Sequence, residues 1–400
     1  MPDTSPYPLD GIVILDLSQI YNGPYATFLL AMAGAEVIKV EPRVGEHLRR
    51  RGALSAAALP FAMLNRNKRS VSLDLKTAKG RDLLLKLATR ADVLVENFTP
   101  GAMDRLGLGV DVVHAANPRL IYASSSGYGS SGPYRDYPAM DLTVQAMSGV
   151  MSITGFPDRP PVKSGPALCD FFAGVHLYGA IVTALFERER TGKGRHVEVA
   201  MLDSVYMSLA SNLSLSYSRG WKETPRTGNR HGGLAEAPYN VYSTKNGHIA
   251  IICVGEGHWT TLAKVMERED LLSDPRFQSM KTRALNIDLV DQIVGEFSSR
   301  FETQELFELL LKHRVPSAPV RTLEDVVSDL HLHQRGMLQW TDHPTLGRIV
   351  VPGSPMRYEG TPPMPHVASA ELGSDNDSLL GDLLGLSQAD IDQLRKENVI

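Results

Sequence analysis

Short apolar runs alternate with helical periods along the first third of the chain. Gly11-Ile12-Val13-Ile14-Leu15-Asp16-Leu17 predicts a strand, Pro24 to Ala33 a helix, and Glu36-Val37-Ile38-Lys39-Val40-Glu41 a second strand, a βαβ opening. Further units follow at Ser70 to Leu75, a helix from Thr77 to Arg90, Val93 to Phe98, and Leu120 to Ser125. Strands alternating with helices predict a parallel sheet flanked by helices. From about Arg226 the pattern changes. A Gly-rich loop leads to Tyr239-Asn240-Val241-Tyr242-Ser243 and Ile249-Ala250-Ile251-Ile252-Cys253, joined through Lys245-Asn246-Gly247-His248. Asn-Gly between two strands is a hairpin signal. Amphipathic helices at His258 to about Arg268, Leu285 to Arg300 and Thr303 to Arg314 complete a smaller α+β domain, with Val315 to Val320 as its exit. Thr341 to Met364, rich in Gly and Pro, predicts an extended return path, and Ser387 to Lys396 a helical tail. The expected organisation is a large domain begun by residues 1–205, a linker at 206–225, a small domain at 226–322, and a return through 323–400 to the large domain.

One carboxylate stands out against this pattern. Asp170 opens a helix whose side chains stay uncharged from Phe171 to Phe186. Asp is a preferred helix N-cap, and its charge is favoured there by roughly 0.3–1 kcal/mol. An ionised group beside so much apolar surface is also costly, which admits a chemical role. The uncharged stretch is shorter than the roughly 20 residues needed to cross a bilayer. Gly174, His176, Tyr178 and Gly179 interrupt it, so a helix buried in protein is expected.

Composition narrows the classes. At 400 residues and 43% hydrophobic the chain can build two cores, and a net charge of −4 gives no basic footprint for nucleic acid or an anionic membrane. Met1-Pro2-Asp3-Thr4-Ser5-Pro6 has neither the charge nor the apolar run of a secretory signal, so a cytoplasmic location is expected. The two cysteines, Cys169 and Cys253, have no metal-ligand spacing, and no His lies near Cys169 in sequence to activate it. His331 and His333, two apart, would point to different helix faces. The βαβ opening suggests a dinucleotide site, but the turn Ser18-Gln19-Ile20-Tyr21-Asn22-Gly23-Pro24 has one Gly where that fingerprint needs three.

The succession Asp170, apolar helix, Thr191-Gly192-Lys193-Gly194, strand Arg195 to Ala200 and Met201-Leu202-Asp203-Ser204-Val205 resembles the family III CoA-transferases. That group includes formyl-CoA transferase, carnitine-related CoA-transferases and the α-methylacyl-CoA racemases. The resemblance extends over nearly the whole chain, through Gly23-Pro24-Tyr25-Ala26, Ala35 to Pro42, Asn67-Lys68-Arg69-Ser70, Val95-Glu96-Asn97-Phe98-Thr99-Pro100-Gly101, Gly132-Pro133-Tyr134 and Asp274-Pro275-Arg276-Phe277.

The resemblance implies a large Rossmann-like parallel-sheet domain, a smaller α+β domain and an interlocked-ring homodimer. It implies that Asp170 is the nucleophile, and that Tyr21, Asn22, Arg43, Leu75, Asn97, Phe98 and Arg105 contact CoA, with Asn97 bonding the pantetheine amides. It places Met140 and Asp141 at the active site, and Gly232 and Gly233 in a mobile lid, where a plain linker is the alternative. The racemases carry a His before this Asp; Met140 leaves that acid/base pair incomplete, which favours transfer over racemisation. A non-catalytic acyl-CoA-binding protein is the third reading. The implied substrates are an acyl-CoA and a small carboxylic acid, with no permanently bound cofactor and no metal. Gly373-Ser374-Asp375-Asn376 departs from the family's frequent Gly-Glu-His-Thr.

Overall fold

A computed structural model describes residues 7–52 and 58–400. The chain divides into two units, one of Met1–Val144, Ala167–Val205 and Val327–Ile400, the other of Gln145–Pro166 and Tyr206–Val326. The expected first segment, 1–205, is therefore interrupted by a stretch that belongs with the second unit.

The first unit is built on six parallel strands: β1 (Val13–Asp16), β2 (Glu36–Glu41), β3 (Lys68–Ser72), β4 (Val93–Glu96), β5 (Ile121–Ser126) and β6 (His196–Ala200), in the order β3-β2-β1-β4-β5-β6. The central strands β1 and β4 bury apolar residues on both faces, as a sheet covered on both sides requires, while the edge strands β3 and β6 are more polar. Leu15, Ile38, Leu94 and Tyr122 face one layer with Leu84, Leu87, Leu379 and Leu380. Their neighbours Ile14, Val37, Val93 and Ile121 face the other, with Phe28, Leu30, Leu177 and Ile181. Leu379 and Leu380 come from the helix Asn376–Leu384, so the chain does return to the large sheet after the second unit.

β3 begins and ends earlier than the expected Ser70 to Leu75. Leu73 N–H still donates to Glu41, but Asp74 N–H turns to Val399 near the C-terminus, at 2.8 Å in each case, which ends the ladder at Ser72. A non-local partner of this kind leaves no trace in local periodicity.

The helix Leu168–Thr191 buries Cys169, Ala173, Leu177, Ile181 and Leu185 on one stripe. By length and composition it could cross a membrane. Here that stripe packs on β5, β6 and the helix Asn22–Met32. Its opposite face carries Val175 and Phe186, which are exposed. Gly174 sets the spacing between the two helices: a Cβ there would lie 2.7 Å from the Asn22 carbonyl oxygen and 3.0 Å from the Tyr25 ring. That close approach sets the second turn of this helix against the first turn of the helix Asn22–Met32.

In the second unit the Asn-Gly hairpin joins β7 (Tyr239–Ser243) to β8 (His248–Ile252), and β9 (Ser317–Pro319) adds antiparallel to β8. The exit segment is thus a third strand. Helices Glu256–Val265, Ile287–Ser298 and Thr303–Lys312 cover the sheet, burying Trp259, Leu262, Val290, Val294 and Leu306. Within the return path β10 (Leu338–His343) pairs antiparallel with β11 (Gly347–Pro352), and Gly347 takes a left-handed φ of 68° at the turn between them.

Candidate active site

In sheets of this strand order the crevice opens where the order reverses, between β1 and β4, at the carboxyl ends of the strands. β1 ends at Asp16 and β4 at Glu96, so the loops Leu17 to Tyr21 and Asn97 to Gly101 form its rim. The base of the first loop is a buried ionic network. Lys68 donates to Asp16 at 2.9 Å, to Thr27 at 2.7 Å and to Asn65 at 2.9 Å, and Lys39 Nζ stands 3.7 Å from the same Asp16 carboxylate. Burial works to raise the Asp16 pKa, but Lys39, Lys68 and the Ser18 hydroxyl outweigh it and hold the group well below the usual carboxylate range. Burial pushes Lys68 down to about 8. Above this network Ile20 takes a left-handed φ of 67°, a conformation that costs a β-branched residue about 1–3 kcal/mol.

A cavity of about 320 Å³ opens over that rim, lined by Ile20, Asn22, Asn97, Phe98, Met140 and Asp170 with residues of the Ser126 to Tyr137 stretch. An adjoining hollow of about 260 Å³ reaches Val40, Pro42, Leu73, Leu75 and Leu106 and shares Gln19 and Phe98 with the cavity.

Asp170 is not the cap of its helix. The N-cap position is Ala167, with no side-chain hydrogen bond, and Asp170 is the third helical residue. The cap comes from elsewhere: Asp141 Oδ1 accepts the N–H of Cys169 at 2.8 Å and that of Asp170 at 3.3 Å. Those two N–H groups are thereby engaged. Burial, and then the Asp141 charge, push the Asp170 carboxyl up to about 7, while a hydrogen bond from the Asn22 N–H favours its ionised form. Cys169, fully buried beside it, is pushed up to about 12 by burial and by the charges of Asp141 and Asp170, so at neutral pH it is a thiol.

Asn97 lines the cavity and is hydrogen-bonded within the rim. Its Oδ1 accepts the Gln19 N–H at 2.8 Å, and its amide hydrogens go to the Gln19 carbonyl at 2.8 Å and to Asn22 Oδ1 at 2.7 Å. With both hydrogens engaged, the side chain ties the two rim loops to the residue that contacts Asp170. Tyr21 stacks on Phe171 with ring centroids 5.8 Å apart. Leu75 lines the hollow. Arg43 and Arg105 are exposed, and the Arg105 guanidinium stands beside Gly101. Met140 is 55% exposed at the cavity mouth. Gly232 and Gly233 belong to the second unit, where a Cβ would lie 2.8 Å from Asn212 Oδ1 and 3.1 Å from the His231 ring respectively. Asn212 Nδ2 donates to the Gly232 carbonyl at 3.4 Å.

Sequence reasoning passed over Glu96, Gln19 and Tyr137. Glu96 is buried and pushed up to about 7 by desolvation, and it accepts the Phe98 N–H at 2.8 Å, fixing the second rim loop. Its place as the last residue of a buried strand, at the carboxyl edge of the sheet, was the available signal.

A parallel sheet with a buried, ionisable carboxylate at its switch point defines an α/β enzyme with a candidate covalent centre. Residues 9–376 match the model of CoA-transferase family III. The succinyl-CoA:mesaconate CoA-transferase of Haloarcula hispanica is 38% identical over 89% of this chain and 91% of its own length. The formyl-CoA:oxalate CoA-transferase of Streptomyces avermitilis is 35% identical over 98% and 99%. Among solved structures, a CAIB/BAIF family protein from Brucella suis superposes with a TM-score of 0.82 at 33% identity, covering 94% of this chain and 99% of that one. The chain belongs to CoA-transferase family III and is a transferase enzyme of that family.

Proposed function

We propose that this enzyme moves CoA from an acyl-CoA donor to a carboxylic acid acceptor, with Asp170 as the covalent centre. The observation that carries the reading is a single buried carboxylate at the cavity, contacted by the Asn22 N–H and poised near neutrality. A carboxylate of raised pKa is a stronger nucleophile than an ordinary one while remaining about half ionised at pH 7.

The Asp170 carboxylate attacks the thioester carbonyl, giving a mixed anhydride and CoA thiolate. The thiolate attacks the Asp170 carbonyl, releasing the donor acid and leaving an aspartyl-CoA thioester. The acceptor carboxylate attacks that thioester, again expelling thiolate and forming a second anhydride. The thiolate then takes the new acyl group, and Asp170 returns as a carboxylate. At each attack on Asp170 an oxyanion forms on its own carbonyl. The Asn22 N–H is the donor aimed at that group, since Asp141 engages the N–H groups of Cys169 and Asp170. The related transferases named for oxalate, mesaconate and glutarate favour a small di-acid or its CoA ester among the substrates. Met140 gives the cavity mouth no proton acceptor for racemisation.

Phe98 and Leu75 supply apolar walls for the pantetheine and adenine, Tyr21 and Asn97 brace the rim, and Arg43 and Arg105 offer charge to the phosphates. The Gly232 and Gly233 loop acts as a mobile lid during turnover. Two chains form an interlocked homodimer; Val175 and Phe186 on the outer face of the Leu168–Thr191 helix, 49% and 67% exposed in one chain, support a partner there.

The test is a panel of acyl-CoA donors and free acids with hydroxylamine added during turnover. A hydroxamate at Asp170, with transfer lost in Asp170→Ala, is expected; a modified peptide elsewhere redirects the assignment.

A further inference from the structure

Two guanidinium groups converge on one point at the cavity rim. A Cβ placed on Gly101 would lie 3.2 Å from Arg105 Nη1 and 3.7 Å from Arg135 Nη2. Gly101 has a φ of 77°, so a side chain is disfavoured there on backbone grounds and the space between the two groups stays open. Arg105 ends the short helix Ala102–Arg105, while Arg135 comes from the loop after β5 and also lines the Asp170 cavity.

Among the described residues, neither guanidinium has a carboxylate within ion-pair distance. Of the acidic groups nearby, Glu198 accepts the Ser130 hydroxyl at 2.6 Å and Glu96 accepts the Phe98 N–H, while the Asp104 carboxylate lies beside Gly109. Two like charges brought to one point repel, and an anion between them converts that repulsion into two charge-assisted hydrogen bonds. Planar guanidinium forks suit a phosphate, whose oxygens can be shared between them. The location agrees, because the thioester end of CoA must reach Asp170 while its phosphates stay outside on the rim.

We propose that Arg135 joins Arg105 in a clamp on a phosphate group of CoA. Arg135 then links nucleotide recognition to the reacting cavity, a role that its exposed loop position does not disclose. The inference rests on the CoA-transferase reading of the site.

The test is calorimetric titration of the full-length protein with CoA, 3′-dephospho-CoA and pantetheine. Arg135→Gln is expected to weaken CoA binding about tenfold, the loss of one charge-assisted contact on an exposed site. Its effect on pantetheine is expected to be nil, and the Arg105→Gln, Arg135→Gln double variant should lose less than the sum of the singles. A penalty that vanishes with 3′-dephospho-CoA assigns the clamp to the 3′-phosphate; one that persists there but vanishes with pantetheine assigns it to the pyrophosphate. CoA binding unchanged in Arg135→Gln, or pantetheine weakened equally, overturns the clamp. Wild-type protein that binds no CoA overturns the transferase reading itself. Because Arg135 is exposed, an unchanged melting temperature is expected for the variant.

Discussion

Asp141 caps the helix that carries Asp170, accepting the Cys169 N–H at 2.8 Å and the Asp170 N–H at 3.3 Å through one carboxylate oxygen. The Asp141 and Asp170 carboxylates are therefore like charges at the same helix end. Burial is the larger cause of the raised Asp170 pKa and the Asp141 charge the second.

With Asp170 as the proposed nucleophile, kcat/KM should fall about tenfold per pH unit below about 7, where its carboxylate becomes protonated. Asp141→Asn keeps an oxygen for the cap and removes the charge, so its midpoint should move toward acid. A pH–rate profile with the same midpoint in both proteins would separate the two carboxylates.

The same shift predicts a stability difference. Asp170 has a folded pKa of about 7 against an ordinary value of 3.8, so between those values the native state holds more protons than the unfolded chain. Stability must then fall as pH rises through that window, by up to about 4 kcal/mol from this group. Asp170→Asn should unfold at a higher temperature than wild type at pH 8 and show little difference at pH 4. Thermal melts at the two pH values measure it; equal differences would place the cost elsewhere.

Asn97→Ala removes the tie between Gln19 and Asn22. Freed from it, the Asn22 N–H should bond Asp170 less well, moving the activity midpoint to higher pH as kcat/KM drops by about two orders of magnitude. A drop with no change in pH profile would reduce Asn97 to a structural part.

Valine at Gly232 or Gly233 must displace Asn212 or the His231 ring. Slower transfer with more acyl-CoA hydrolysis is expected, since water would enter an imperfectly closed site. Unchanged transfer without added hydrolysis would leave this loop a linker.

Threaded subunits cannot separate without opening the fold. Mixing two differently tagged pure dimers under native conditions should give almost no heterodimer over hours. Rapid exchange, or a monomeric mass by light scattering at micromolar concentration, would refute the interlocked arrangement.

Periodicity alone determined the alternation of strands and helices through Ser125, the Asn-Gly hairpin and the three amphipathic helices after it, because each depends on side chains close in sequence meeting one apolar face. Asp170 was conspicuous for the same reason, a lone charge before a long apolar run. Its setting was not legible. Whether it capped the helix, and how far its pKa moved, depended on burial, on Asp141 and on the Asn22 N–H, partners that only the packed structure brings together. The end of β3 at a contact with Val399, the engagement of Asn97 within the protein and the convergence of Arg105 with Arg135 at Gly101 are likewise tertiary. Local sequence fixes what a segment prefers to be; partners distant in the chain fix which of its polar groups remain free to act.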